Sequence, residues 1–148
     1  MKISARARYA LAATIYMAQN HNNNEFITLI SISDKLGISK IYLEQVFTLL
    51  KLGKIVHSIK GAQGGYQLTR TPQSITIYDI LSTVETSLFD ITEETIAELQ
   101  PEIESAMATA IYQPLDDTVK SSLQAITLYD LVSQAEKNKS DQNFMFYI

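Results

Sequence analysis

The chain has 148 residues, of which 46% are hydrophobic, with twelve Lys/Arg, sixteen Asp/Glu and no cysteine. Its length and apolar content suit one globular unit with a core, and the absence of a thiol excludes disulfides, cysteine nucleophiles, thiol redox sensing and thiolate-held metal. The net charge of −4 conceals a division: residues 1–70 carry nine Lys/Arg against three Asp/Glu, a net +6, and residues 71–148 carry three against thirteen, a net −10. A basic N-terminal part is expected to meet a polyanion, and the acidic remainder is not.

At the start, Lys2, Arg6 and Arg8 precede a short apolar run from Ala10 to Ala18, a superficial mimic of a secretory leader. Leu11, Ala12, Ile15, Ala18 and Gln19 keep helical spacing, which predicts a packed amphipathic helix instead. No apolar run approaches the length of a membrane span, so a cytoplasmic protein without a membrane partner is expected. A loop follows at His21–Asn24. Thr28 then reads as a helix N-cap with Ile27 and Ile32 as its hydrophobic staple, and Gly37 ends that helix. Ser39 repeats the device with Ile38 and Leu43, and its helix runs to Gly53 as the C-terminal glycine. Two short helices separated by Gly37-Ile38-Ser39 have the spacing of a helix-turn-helix, whose second helix enters a major groove. At about 100° per residue, Leu43, Val46, Phe47 and Leu50 share one face of that helix. Ile41, Glu44, Gln45 and Thr48 lie opposite, free to read a partner.

The stretch KGAQGGYQLTR, Lys60–Arg70, has the glycine density of a phosphate loop but lacks the Lys-Ser/Thr and the following helix that such a loop needs. The β-branched run Ile55–Lys60 and the return from Gly64 to Arg70 predict a glycine-tipped hairpin. A basic first helix, a helix-turn-helix and a basic hairpin in this order make a winged helix-turn-helix, with the hairpin basic because it lies against phosphates or in a minor groove. From Pro72 the character changes. Thr76-Ile77-Tyr78-Asp79 opens a helix to about Val84 with a capping-box pattern, and Thr127-Leu128-Tyr129-Asp130 opens another. Leu115, Val119, Leu123 and Ile126 form a narrow apolar stripe whose spacing fits either pairing with another helix or packing on the chain's own domain. The apolar end Phe144–Ile148 either docks on a partner subunit or is tied down locally.

The segments MKISARARYAL, GISKIYLEQVFTLLKLGKI, VHSIKGAQGGYQLTR, ITIYDIL and ITLYDL together resemble the Rrf-two family of bacterial winged helix-turn-helix transcription regulators, over about residues 1–88 and 112–132. The resemblance implies a mainly α fold with a small β-hairpin wing, dividing into a DNA-binding domain at 1–84 and, at 85–148, an acidic helical segment with a dimerisation helix and tail. It implies a homodimer on palindromic double-stranded promoter DNA, with Leu115, Val119, Leu123 and Ile126 in the dimer interface. By position, Ser39, Tyr42, Glu44 and Gln45 match the family's recognition-helix residues, and Lys60 stands where members often have a wing Arg. Glu44 suits a cytosine N4 amine, and Lys60 a minor groove, though without the planar fork of Arg. Lys2, Arg6, Arg8, Thr28, Lys40, Gln63, Gly64 and Tyr66 complete the expected DNA contacts.

Many members carry a cysteine triplet holding an iron–sulfur cluster, and the corresponding stretch here, Leu88–Tyr112, has none. Asp90, Glu93 and Glu94 are poor substitutes, because hard carboxylates do not hold such clusters as thiolates do. The run Glu93, Glu94, Glu98, Glu102 and Glu104 reads as solvated helix surface, and His21 and His57 complete no metal site. No metal and no cofactor is therefore expected. The leading expectation is a cluster-free repressor that answers to a small ligand or a partner protein. The alternative is an interaction module on the same fold that binds a metabolic enzyme, with DNA secondary. An enzyme is not expected, since no nucleophile–base set appears and Tyr66 and Tyr78 are better explained by packing.

Overall fold

In a computed structural model of the chain, residues 1–21, 25–61 and 64–146 are described. Asn22–Asn24 of the expected loop, Gln63 of the wing and Tyr147–Ile148 of the tail lie outside them. The first helix, α1 (Ala5–Gln19), is opened by Ser4, whose hydroxyl accepts the Ala7 N–H at 3.1 Å. The Glu85 carboxylate, far along the chain, accepts from both the Ser4 hydroxyl and the Ser4 N–H. The buried stripe of α1 is Ala7, Ala10, Ala13, Thr14, Met17 and Ala18; of the predicted Leu11, Ala12, Ile15, Ala18 and Gln19 only Ala18 belongs to it. The small alanines decide this, because they let α1 run through the middle of the domain with other elements closing on it from several sides.

Thr28 caps α2 (Leu29–Leu36) as expected, accepting the Ser31 N–H at 3.1 Å, and Gly37 ends it in the left-handed region at φ 67°. Ser39 is the N-cap of α3 (Lys40–Leu52), but its hydroxyl makes no capping bond; its carbonyl takes the Leu43 N–H. The predicted core face of α3 is the observed one, with Leu43, Val46, Phe47 and Leu50 all buried. The hairpin is β1 (Val56–Ile59) paired antiparallel with β2 (Gly65–Leu68), in the register Val56 to Leu68. Ile27 adds a bridge to Tyr66, with N–H to carbonyl distances of 2.8 Å in both directions, which ties the entry to α2 onto the wing. A Cβ on Gly65 would come within 3.0 Å of the Ile27 carbonyl oxygen, so this close pairing needs glycine.

The end of α3 departs from expectation. Gly53 is the C-cap but has φ −78°, and the left-handed residue is the next one, Lys54, at φ 58°. Gly53 is required by contact instead: a Cβ there would collide with the side chain of Thr83, 2.5 Å from its Oγ1, which is itself held on the Asp79 carbonyl. A left-handed non-glycine residue costs about 1–2 kcal/mol. Lys54→Gly is therefore expected to raise stability by roughly 1 kcal/mol after the extra chain entropy of glycine, and Gly53→Ala to lower it by about 1–3 kcal/mol through overpacking. Urea-unfolding midpoints of the two variants check both signs.

After a short turn at Pro72–Ser74, α4 (Ile77–Val84) carries both halves of its capping box, between Thr76 and Asp79. The expectation of an acidic solvated helix through Glu93–Glu104 is corrected. Helix begins only at Pro101, and Glu104 is buried, its Oε2 accepting the N–H groups of Thr95 at 3.2 Å and Ile96 at 2.9 Å. A carboxylate that caps two backbone donors fixes the non-helical segment against the helix. The helices α5 (Pro101–Met107) and α6 (Gln113–Gln124) join through a π turn at Ala108–Tyr112 without leaving helical dihedrals, giving one rod about 36 Å long. Pro114 accounts for the wide turn, since it has no N–H and its ring would meet the carbonyl four residues back.

The last helix, α7 (Leu128–Phe146), starts with the second capping box: Thr127 N–H reaches Asp130 Oδ2 at 2.9 Å, and Asp130 N–H reaches Thr127 Oγ1 at 3.1 Å. The two boxes face each other across an antiparallel bridge, with Ile77 N–H on the Ile126 carbonyl and Leu128 N–H on that of Ile75. Leu128 is fully buried with α1, α3 and α4 in one core, so the start of α7 is part of the same packing unit as the winged segment. Among the described residues no helix is long and apolar enough to cross a membrane.

Candidate nucleic-acid interface

The outward face of α3 is built by exclusion. Four apolar side chains hold the helix on α1 and α4, which turns Lys40, Ile41, Tyr42, Glu44, Gln45 and Thr48 to solvent. Ser39, at its start, is exposed as well. Lys40 Nζ and Glu44 Oε1 lie 3.8 Å apart with both side chains more than half exposed, so the pair is worth a few tenths of a kcal/mol and parts at little cost. The Tyr42 ring sits 5.9 Å from that of Tyr9, which braces the exposed face of α3 from α1.

Around this face the predicted cations take different positions. Lys2, Arg8 and Lys60 are exposed. Arg6 is half-buried and donates its Nε–H to the Val84 carbonyl at 2.9 Å, tying the start of α1 to the end of α4. It also lines a depression of about 370 Å³ with Tyr9, Tyr42 and Gln45. In the wing, Gly64 donates its N–H to the Gly61 carbonyl at 3.1 Å, which closes the tip. Tyr66 is half-buried with its ring 4.7 Å from Phe47, so it links wing to recognition helix as a packing residue. Thr28 is half-buried, with its hydroxyl engaged as a cap.

The stripe on α6 divides. Leu115 is exposed at 58%, Val119 is half-buried, Leu123 packs against the chain's own core, and Ile126 is at the edge of exposure. Tyr9 and Glu85 are supporting residues that the sequence reading missed. Glu85 left no local signal, since its partner Ser4 lies 81 residues away.

Comparison with known proteins follows the same line. Residues 3–134 match the Rrf2 family model, described as an iron-dependent transcriptional regulator. The chain is 33% identical over 148 residues to the HTH-type transcriptional regulator CymR of Bacillus subtilis, covering all of both chains. The solved structure of CymR (YrzC), the global cysteine regulator of B. subtilis, is similar with a TM-score of 0.72 at 34% identity, over 90% of this chain and 98% of that one. That of T. potens IscR has a TM-score of 0.74 at 30% identity, over 99% and 97%. The donors present do not fit an iron–sulfur group: the chain has no thiolate, Glu104 is committed to backbone N–H groups, and among the described residues no three His, Asp or Glu could share a metal ion. A winged helix-turn-helix with a solvent-exposed α3 face, matched over most of its length by transcriptional regulators, places the chain in the Rrf2 family of transcriptional regulators.

Proposed function

We propose that the protein is a homodimeric, sequence-specific repressor that binds promoter DNA through α3 and the wing, needs no cluster, and answers to a small ligand or a partner protein. The observation that carries this reading is the solvent-facing set Ser39, Lys40, Tyr42, Glu44 and Gln45, flanked by exposed Lys2, Arg8 and Lys60 in the part of the chain with net charge +6. Residues 1–84 supply the reading surface. Residues 85–148 supply the dimer contact, with exposed Leu115 and half-buried Val119 on α6 as its centre. Capture of sheared genomic DNA by the purified protein, followed by sequencing, tests it. A palindromic motif with half-sites about one helical turn, roughly 34 Å, apart is expected, and capture without any shared motif would sink the reading.

Two further outcomes are expected on the recovered operator. Glu44→Ala changes the base preference at one half-site position by about 1–3 kcal/mol, whereas Lys2→Ala and Arg8→Ala weaken all sequences alike. Binding-site selection with each variant reads the difference, and a uniform loss in Glu44→Ala would give that residue a structural role. The protein should also purify without visible absorbance, and iron chelation, nitric oxide or mild oxidant should leave operator affinity unchanged, because the family's cluster, a sulfenic acid and a disulfide each need a cysteine sulfur and the chain has none. A brown anaerobic preparation with stoichiometric iron would overturn the cluster-free assignment.

A further inference from the structure

We infer that Ile41 reads the C5 methyl group of a pyrimidine in the major groove, and so specifies one position of the half-site that the polar residues of α3 do not. This rests on the DNA-binding reading proposed above and adds to it a specificity residue of a different chemistry. Ile41 is the second residue of α3 and is 66% exposed, with Lys40, Tyr42, Glu44 and Gln45 around it. At about 100° per residue it stands about 170° from the centre of the buried stripe Leu43, Val46, Phe47 and Leu50, more directly opposed to the core than Glu44 or Gln45. The N-terminal residues of a recognition helix are the ones that meet base edges, so Ile41 points straight into the groove.

The chemistry of the side chain decides what it can read. In the free chain Ile41 gains no burial from being apolar, and as a β-branched residue it is a weaker helix former than Lys40 or Glu44 beside it. It has no donor or acceptor, so the polar edges of guanine, adenine and unmodified cytosine would lose water against it without compensation. The C5 methyl of thymine is the apolar group that an unmodified base pair presents in that groove, and 5-methylcytosine carries the same methyl. Branching at Cβ holds Ile41 close to one χ1 rotamer in a helix, so little side-chain freedom is lost on contact. Along the helix axis Ile41 precedes Glu44 by about 4.5 Å and Gln45 by about 6 Å, roughly one to two base-pair steps of about 3.4 Å. The methyl should therefore lie about one or two base pairs from the position whose preference changes in Glu44→Ala.

The test is selection of duplexes from a random unmethylated library by the full chain, followed by affinity measurement on the recovered site with uracil in place of thymine. Uracil removes the methyl and keeps the hydrogen-bonding edge. At one thymine in each half-site the exchange is expected to weaken binding by roughly three- to tenfold per half-site. Ile41→Ala should bind the two forms alike, and Ile41→Val, which keeps the branched methyl groups, should retain most of the difference. Leu52→Ala serves as the control: Leu52 is 75% exposed at nearly the same azimuth, about 16 Å farther along the helix, and its loss should leave the methyl dependence unchanged. Both residues are exposed, so neither variant removes core packing. Exchange of cytosine for 5-methylcytosine at each position of the same site separates the two sources of the methyl. A recovered motif with no methyl dependence at any position, or the same dependence in Ile41→Ala, would overturn the role while leaving the DNA reading standing. Recovery of no motif would remove the DNA reading and this inference with it.

Discussion

Raising the salt from 50 to 200 mM is expected to weaken operator binding by about 10³–10⁵-fold. Lys2, Arg8, Lys40 and Lys60 are all exposed on the winged part, and the proposed dimer doubles them. Each phosphate neutralised releases condensed counterions, so about eight contacts give a slope of log affinity on log salt near −7. Lys40 must leave Glu44 to take part, and their exposed pair opposes this by only tenths of a kcal/mol. Arg6 is half-buried with its Nε–H on Val84, and its remaining guanidinium N–H groups keep their charge, so a phosphate contact from it would steepen the slope further. Lys60→Ala should make the slope shallower by about 2, one contact from each wing. Fluorescence anisotropy over a salt series measures both, and a flat dependence would mean that the basic half of the chain does not meet DNA.

Phe47→Ala is expected to cost about 3–5 kcal/mol of stability, a large part of the roughly 5–15 kcal/mol a domain has. Phe47 has no exposed surface, and its ring meets that of Tyr66 at 59° and 4.7 Å. The loss should be coupled: in a double-mutant cycle with Tyr66→Leu, about 0.5–1.5 kcal/mol belongs to the ring pair. Tyr66→Leu alone should lower stability and loosen the wing, with any effect on DNA following from that. Urea unfolding of the four proteins gives the cycle. If Phe47→Ala lost under about 1 kcal/mol, or Tyr66→Leu lost DNA affinity at full stability, the packing role assigned to Tyr66 would fall.

Local chemistry is what the sequence shows well. Thr28, Thr76 and Thr127 cap their helices as their spacing implies, and the α3 core face emerges from its 3.6-residue period. Non-local chemistry is what it hides. The alanine stripe of α1 was masked by larger apolar neighbours that stay half-buried, because steric access in a crowded centre selects small residues over greasy ones. Glu104 reads like its exposed neighbours Glu98 and Glu102, and nothing within a few residues reveals the two N–H groups it caps. Nor does the sequence reveal that Arg6 ties α1 to α4 through the Val84 carbonyl, 78 residues away.

The wide turn at Ala108–Tyr112 acts as a vernier on the long rod. Its Gln113 N–H bonds the carbonyl five residues back, so it absorbs one residue more than an α turn without breaking the helix. The side of the rod beside residues 91–97 accordingly runs from Glu104 through Ala108 and Tyr112 to Asp116, and Leu115 faces solvent. The same residues wound as plain α turn, with Pro114 replaced to permit it, would rotate everything beyond by about 100° and swing residues 115 and 116 round the rod. The single extra residue thus keeps Asp116, rather than Leu115, on the side of the rod beside residues 91–97.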